Sequence, residues 1–298
     1  VEIHESTHLK FYNLQVDMTL SSFKEIALKY KVVFFDAYGV LRTHKGILPG
    51  VKEMLHFLEE NDVAFYILTN DASRSPELLA KVYRDAGISE ITSRKIISSG
   101  MLAREYIQHK VQKGRLAYLG TPESAHYIEK KGLTTISIRD LDIDSGEDIS
   151  ALILLDDEGF DWNVDLNKTL NLLRKHPIPV IVANTDVTYP VAKKDVAIAV
   201  GALGDLLETL ALKTFIRFGK PDSQIFSFAY EFCIRENRVT KDDILMVGDS
   251  LSTDIIGGNK FGIDTCLVLT GNTLPESCDL MINSTGIIPD YICESVAM

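Results

Sequence analysis

Short runs of consecutive apolar residues recur along this chain, and after most of them the apolar positions fall three and four residues apart. The first run, Val32-Val33-Phe34-Phe35, ends at Asp36, and Ala37, Tyr38 and Gly39 then break it. A run of β-branched and aromatic residues this short suits a strand buried on both faces, as in a parallel sheet. Ser21 or Ser22 caps a short helix before it, with Phe23, Ile26 and Ala27 on one face. After Pro49-Gly50, Val51, Met54, Leu55 and Leu58 predict a helix. Val63 to Leu68 predicts a second buried strand, ending in Thr69-Asn70. Ser75-Pro76-Glu77 reads as a helix start, with Ser as N-cap and Pro in the first turn. Leu78, Leu79, Val82 and Tyr83 form the buried face of that helix, and Gly87 stops it. Strand, helix, strand, helix with short connections predicts a parallel sheet with right-handed crossovers.

From Ser98-Ser99-Gly100 a helix runs to about His109, and a smaller alternating unit follows. Its strands are Leu116 to Leu119, Thr134 to Ile138, Ala151 to Leu155 and Val180 to Ala183. Its helices are Pro122 to Lys131 and Leu166 to Leu173. The acidic stretch Asp140 to Asp148 reads as a surface loop, and Asp156, Asp157 and Asp161 read as surface residues. The first pattern then resumes: a helix over Gly201 to Leu212, Gly219-Lys220-Pro221, and a helix from Ser223 to Cys233. A strand from Ile244 to Val247 ends in Gly248-Asp249. Ser252 to Lys260 is helical, and Thr265 to Leu269 is a last strand. The final thirty residues wrap the surface or add one strand and helix. The expected organisation is an α/β core from 1–91 and 199–298, with a second α/β unit inserted over 92–198.

Composition narrows the function. The chain has 298 residues and a net charge of −11, which disfavours generic binding to nucleic acid or anionic membrane. A phosphorylated substrate stays compatible, because a bound metal ion reverses the local field. No apolar run approaches the roughly 18 residues of a membrane span. The N-terminal V-E-I-H-E-S-T-H-L-K lacks a basic segment leading into an apolar core, so a cytoplasmic location is expected. Cys233, Cys266, Cys278 and Cys293 are scattered without metal-ligand spacing and read as free thiols. A homodimer is compatible with the sequence, although no exposed apolar stripe stands out.

Three strands end in polar residues: Asp36, Thr69-Asn70 and Gly248-Asp249. Gly-Lys-Pro stands in a loop before a helix. In a parallel sheet such strand ends share one edge, where open α/β sheets place ligands. Taken singly, Asp36 or Asp249 is a loop or helix cap, Thr69-Asn70 a helix cap, and Lys220 a solvated lysine. In order, the set resembles the haloacid dehalogenase superfamily. Asp36 matches its nucleophile, Thr69 its second motif and Lys220 its third. G-D-S-L-S-T-D-I (Gly248 to Ile255) matches its acidic fourth motif. D-x-x-G-V-L, I-L-T-N, A-N-T-D-V-T-Y-P (Ala183 to Pro190), G-A-L-G and G-K-P are similar to the class IIA branch. That branch includes sugar-phosphate, phosphoglycolate, pyridoxal-phosphate and nitrophenyl-phosphate phosphatases.

The resemblance implies a Rossmann-like core with an inserted class II cap. It also implies a Mg²⁺-dependent phosphatase of a small phosphorylated metabolite, a sugar phosphate for instance. Asp36 would form an aspartyl-phosphate intermediate. Asp36, Asp249 and the Tyr38 backbone carbonyl would hold Mg²⁺. Thr69 and Lys220 would bind phosphoryl oxygens, and Asp254 would orient Lys220 or metal-bound water. Asn70, Asn184 and Asp186 are the expected substrate-facing polar residues, with a plain turn before Pro190 as the simpler reading of the last two. One position departs from the pattern: Tyr38 stands where the family's acid/base Asp is expected. A phenol with an unperturbed pKa near 10 can donate a proton but is a poor base at neutral pH. Two alternatives therefore stay open. One is a catalytically impaired phosphate-ligand-binding protein. The other is a metal-independent 2-haloacid dehalogenase, whose nucleophile motif F-D-A-Y-G resembles.

Overall fold

The computed structural model describes residues 22–297, apart from 112, 130–131, 146–147, 193–194 and 237. The possible cap Ser21 and the predicted helix end at Lys131 lie outside the described residues. Along the chain, α1 (Phe23–Ala27) precedes β1 (Val32–Phe35), then a hairpin of β2 (Arg42–Thr43) and β3 (Gly46–Ile47). Next come α2 (Val51–Glu60), β4 (Ala64–Thr69), α3 (Pro76–Asp85), β5 (Ile96–Ser98) and α4 (Ser99–Lys110). The middle of the chain holds β6 (Gly114–Leu119), α5 (Pro122–His126), β7 (Leu133–Ser137), β8 (Ile149–Leu154), α6 (Val164–Lys175) and β9 (Val180–Val182). A second hairpin, β10 (Thr188–Pro190) and β11 (Val196–Ile198), leads to α7 (Val200–Ala211), β12 (Ile216–Arg217) and α8 (Ser223–Glu236). The chain closes with β13 (Ile244–Gly248), α9 (Ile256–Phe261), β14 (Asp264–Val268), α10 (Cys278–Thr285) and β15 (Tyr291–Cys293).

Two parallel sheets organise these elements. The first has six strands in the order β15-β14-β13-β1-β4-β5, and the second five in the order β12-β9-β8-β6-β7. The fold is thus α/β with a Rossmann-like sheet and a second α/β layer. Val32, Val33, Phe34 and Phe35 are fully buried because both faces of β1 are covered. Val33 and Phe35 pack with Met54, Leu55 and Leu58 of α2. Val32 and Phe34 face the other way, in a cluster with Ile225, Phe226 and Ala229 of α8. Burying side chains of this size contributes roughly 1.5–3 kcal/mol each. Ser75 caps α3 by accepting from Leu78 N at 3.4 Å, with Pro76 in the first turn.

Sheet membership moves the expected boundaries. β5 pairs with β4 in the first sheet, although the inserted unit was expected to begin at 92. β12 pairs with β9 in the second sheet, beyond the expected end at 198, and α7 packs in the same layer through Leu203 and Leu207. The inserted layer therefore runs to Arg217 and delivers Lys220 from its own edge. Smaller expectations also shift. The Pro122 helix ends at His126, a π-helical turn over Leu251–Ile255 precedes α9, and Leu78 is exposed. Leu206 and Leu210 on α7, Leu212 just after it, and Val196 and Ile198 on β11 are exposed apolar residues. Among the described residues no helix is long and apolar enough to cross a membrane.

Candidate active site

Register brings the strand-end residues together. Phe35 pairs with Val247 on one side and Ile67 on the other, so β13, β1 and β4 end level with one another. Asp36, Asp249 and the Thr69–Asn70 turn stand in a row along that edge. From the second sheet, Arg217 pairs with Val182, which sets the loop after β12 beside Asn184 to Asp186 after β9. The edges of the two sheets face one cavity of about 270 Å³, lined by Asp36, Thr69, Asn184, Asp186, Lys220, Asp249 and Asp254 among others.

Lys220 is the centre of the charge arrangement. It is only 1% exposed, and its Nζ donates to Asp36 Oδ1 at 2.5 Å and to the Leu68 carbonyl at 2.8 Å. Asp254 Oδ1 lies 2.7 Å away in a buried ion pair. Asp254 Oδ2 accepts from Ser250 N at 3.1 Å. Burial alone would lower the lysine's pKa, but Asp254, Asp36 and Asp186 outweigh it and hold the ammonium above its usual range. Lys220→Met would leave buried carboxylates uncompensated. The expected result is a loss of about 3–5 kcal/mol in stability by denaturant unfolding. Any retained hydrolytic rate should fall on the order of 10²- to 10³-fold.

Asp36, Asp249 and Asp254 bring one carboxylate oxygen each within 4.8 Å of the others. Burial pushes Asp36 up to about 7 against the pull of Lys220, and pushes Asp249 well above the usual range, with Asp36 and Asp254 adding to it. When all three are ionised, three buried carboxylates against one ammonium leave two negative charges, which suits a divalent cation with oxygen ligands. Asp249 Oδ2 accepts from Asn272 N at 2.5 Å and Asn272 Nδ2 at 3.1 Å. Asp36 Oδ2 and Asp249 Oδ1 are left without a donor among the described residues. The donor set therefore fits a hard metal ion. Close backbone approach makes this packing possible: a Cβ on Gly39 (φ +87°) would lie 2.1 Å from Asp249 Oδ2, and one on Gly271 1.8 Å.

The other expected residues divide. Thr69 lines the cavity, and its Oγ1 accepts from Asp71 N at 3.2 Å. Asn184 and Asp186 line it too, and Asp186 is raised to about 6, chiefly by burial. Asn70, expected to face substrate, does not line the cavity. Its Oδ1 accepts from Lys220 N at 2.7 Å. Its Nδ2 lies 2.8 Å from Asp186 Oδ1 and 3.0 Å from the Lys220 carbonyl. Asn70 is a brace that fixes the lysine loop, with both amide hydrogens turned to protein acceptors.

Tyr38 is half-buried. Its ring meets that of Tyr189 edge-on at 6.2 Å, and the Arg42 guanidinium carbon lies 5.7 Å from its centre. Burial raises the phenol's pKa while Arg42 opposes, so at neutral pH it is a donor and not a base. Tyr189 donates to Asp157 Oδ2 at 2.9 Å. Asp157 and its neighbour Asp156, read from the sequence as surface residues, line the cavity because the second sheet turns its strand ends toward the first. Asp161 is exposed and takes the Asn163 and Val164 amides at the start of α6. Sequence reasoning also missed Arg42, Arg74, Glu158, Tyr189 and Asn272. The polar turn Gly271-Asn272 after β14 was the only signal for the last.

Asp156 allows a pH test. Its pKa is raised from 3.8 to about 6, by burial first and then by Asp157. A carboxyl with a raised folded-state pKa stabilises the fold below about pH 4, and that contribution is lost as pH rises through about 6. Asp156→Asn is therefore expected to melt with wild type near pH 4 and roughly 2 °C above it at pH 8, in paired thermal melts.

The family model described as haloacid dehalogenase-like hydrolase matches residues 33–134, and a second, HAD-hydrolase-like, matches 217–298. The structure of a Cytophaga hutchinsonii protein, described as a possible sugar phosphatase of the HAD superfamily, is 54% identical. The alignment covers 94% of this chain and 99% of that one, with a TM-score of 0.90. Bovine chronophin (Bos taurus) is 25% identical over 93% of this chain and 94% of its own length. Ribonucleotide monophosphatase NagD of Escherichia coli is 26% identical over 90% and 97%. With its strand-end Asp36, buried lysine and acidic cluster in the family's order, the chain belongs to the haloacid dehalogenase-like hydrolases, in their class IIA capped branch.

Proposed function

We propose that this chain is a Mg²⁺-dependent phosphatase of small phosphorylated metabolites, sugar phosphates among them, working through an aspartyl-phosphate at Asp36. The observation that carries the reading is Lys220 held between Asp36 and Asp254, with Asp249 in the same buried cluster beside the cavity. Relatives named as phosphatases, the ribonucleotide monophosphatase NagD and the possible sugar phosphatase of Cytophaga hutchinsonii, support it. Asp36, Asp249 and the Tyr38 carbonyl would hold the metal. Bound there, Mg²⁺ would offset phosphoryl charge and lower the cost of an ionised Asp36.

An oxygen of Asp36 attacks phosphorus while the ester oxygen leaves with its bonding pair and takes up a proton. Thr69 and Lys220 hold the phosphoryl oxygens, and Asn70 fixes Lys220 in place. Water then attacks phosphorus, releasing phosphate and the Asp36 carboxylate. Tyr38 can donate to the leaving oxygen in the first step, but it supplies no base for the second. That half-buried phenol favours a second reading, in which the site binds phosphorylated ligands and turns over slowly or not at all.

A panel of phosphorylated metabolites, run with Mg²⁺ and with chelator, tests both. Phosphate release that needs Mg²⁺ is the expected result. Ligand-dependent thermal stabilisation without release would favour the binding reading. Metal-independent chloride release from a 2-chloro acid would favour the dehalogenase.

A further inference from the structure

Lys220 reaches Asp36 from a loop that its sheet holds on one side only. β12 is two residues long, and the chain leaves the sheet after Phe218 N donates to the Val182 carbonyl at 3.0 Å. From there the lysine's main chain is held by side chains. Its N donates to Asn70 Oδ1 at 2.7 Å, and its carbonyl accepts from Thr185 Oγ1 at 2.6 Å and from Asn70 Nδ2 at 3.0 Å. Thr185 Oγ1 in turn accepts from Asn70 Nδ2 at 3.1 Å, so the two side chains brace each other across the lysine. Asn70 follows β4 of the first sheet, and Thr185 follows β9 of the second. Gly219 leaves room for both: a Cβ there would lie 2.6 Å from Asn70 Oδ1 and 2.7 Å from Thr185 Oγ1.

Thr185 stands on a firm base. Asn184 Oδ1 accepts from Asp186 N at 2.8 Å, and the Asp186 carbonyl accepts from Gly201 N at 2.9 Å near the start of α7. Asn184 and Asp186 line the cavity, whereas Thr185 between them does not. Its hydroxyl is turned to the lysine loop, where it gives its one proton and fills a lone pair. A lysine carries its charge on a flexible four-carbon stem, so the ammonium is placed only as well as the backbone that bears it. We propose that Thr185 is a positioning residue: its hydroxyl fixes the Lys220 carbonyl and so sets where the ammonium stands beside Asp36. The loop that faces the cavity through Asn184 and Asp186 is thereby bolted to the group that would bind phosphoryl oxygens, a role whose kinetic consequence rests on the phosphatase reading.

The test uses Thr185→Val, which keeps the shape and removes the hydroxyl, Thr185→Ala as a second hydroxyl-free variant, and Thr185→Ser, which keeps the hydroxyl. Two quantities are read with Mg²⁺: kcat/KM for nitrophenyl phosphate, and the dissociation constant of inorganic phosphate from melting-temperature titration. Loss of the hydroxyl is expected to lower kcat/KM by on the order of 10- to 100-fold and to weaken phosphate by about 10-fold. Thr185→Ser should stay within about threefold of wild type on both. A folded Val or Ala variant within about twofold of wild type on both overturns the positioning role. So does a Ser variant as impaired as Val, which would leave Thr185 a packing residue. If Ser folds and neither Val nor Ala does, the hydroxyl holds the fold and not the lysine, and the role is again overturned. If wild type binds phosphate but releases none from the ester, the phosphatase reading fails and the phosphate dissociation constants alone decide the role of Thr185. A wild type that neither turns over the ester nor binds phosphate overturns both.

Discussion

Asp36→Asn is expected to abolish phosphate-ester hydrolysis, lowering kcat by on the order of 10⁴-fold or more in a phosphate-release assay with Mg²⁺. The amide keeps the side chain's shape but cannot attack phosphorus or carry the charge that Lys220 pairs with at 2.5 Å. The variant should still fold. Asp36 is one of three clustered buried carboxylates, and removing its charge eases the repulsion that raises Asp249. A folded variant that retained more than about a tenth of the wild-type rate would remove Asp36 from the role of nucleophile.

The second large effect runs the other way. Tyr38→Asp is expected to raise the rate by on the order of 10²- to 10⁴-fold, because it restores a group able to protonate the leaving oxygen and then activate water. Arg42 beside that position opposes the acidic cluster's push toward a protonated carboxyl. The substitution also breaks the edge-on contact with Tyr189. Steady-state rates should therefore be read together with melting temperature. A variant that folds and binds Mg²⁺ but gains no rate would show that the site's proton chemistry runs through another residue.

Much of this site was legible in the sequence, because its residues sit where apolar runs stop. Asp36, Thr69 and Asp249 each end a buried strand, and strands of one parallel sheet must end along one edge. The Ser75 cap was legible for the same local reason. What was not legible depends on contacts between distant segments. Asp156 and Asp157 look like a solvated acidic turn until the second sheet is turned toward the first. Asn70 reads as substrate-facing, yet its partners are 115 to 150 positions away in the chain. Two-residue β12 carries no periodicity, so its pairing with β9, which delivers Lys220, cannot be read from local pattern.

Tyr38 also makes the covalent step observable. With a poor base, hydrolysis of the intermediate should be the slower step, and phosphoenzyme should accumulate. The direct measurement is rapid acid quench of enzyme turning over a radiolabelled phosphate ester with Mg²⁺, followed by peptide mapping. The expected result is a hydroxylamine-labile label on the peptide containing Asp36, absent in Asp36→Asn and reduced in Tyr38→Asp. Phosphate release without any such label, or a label that maps elsewhere, would contradict phosphoryl transfer through Asp36.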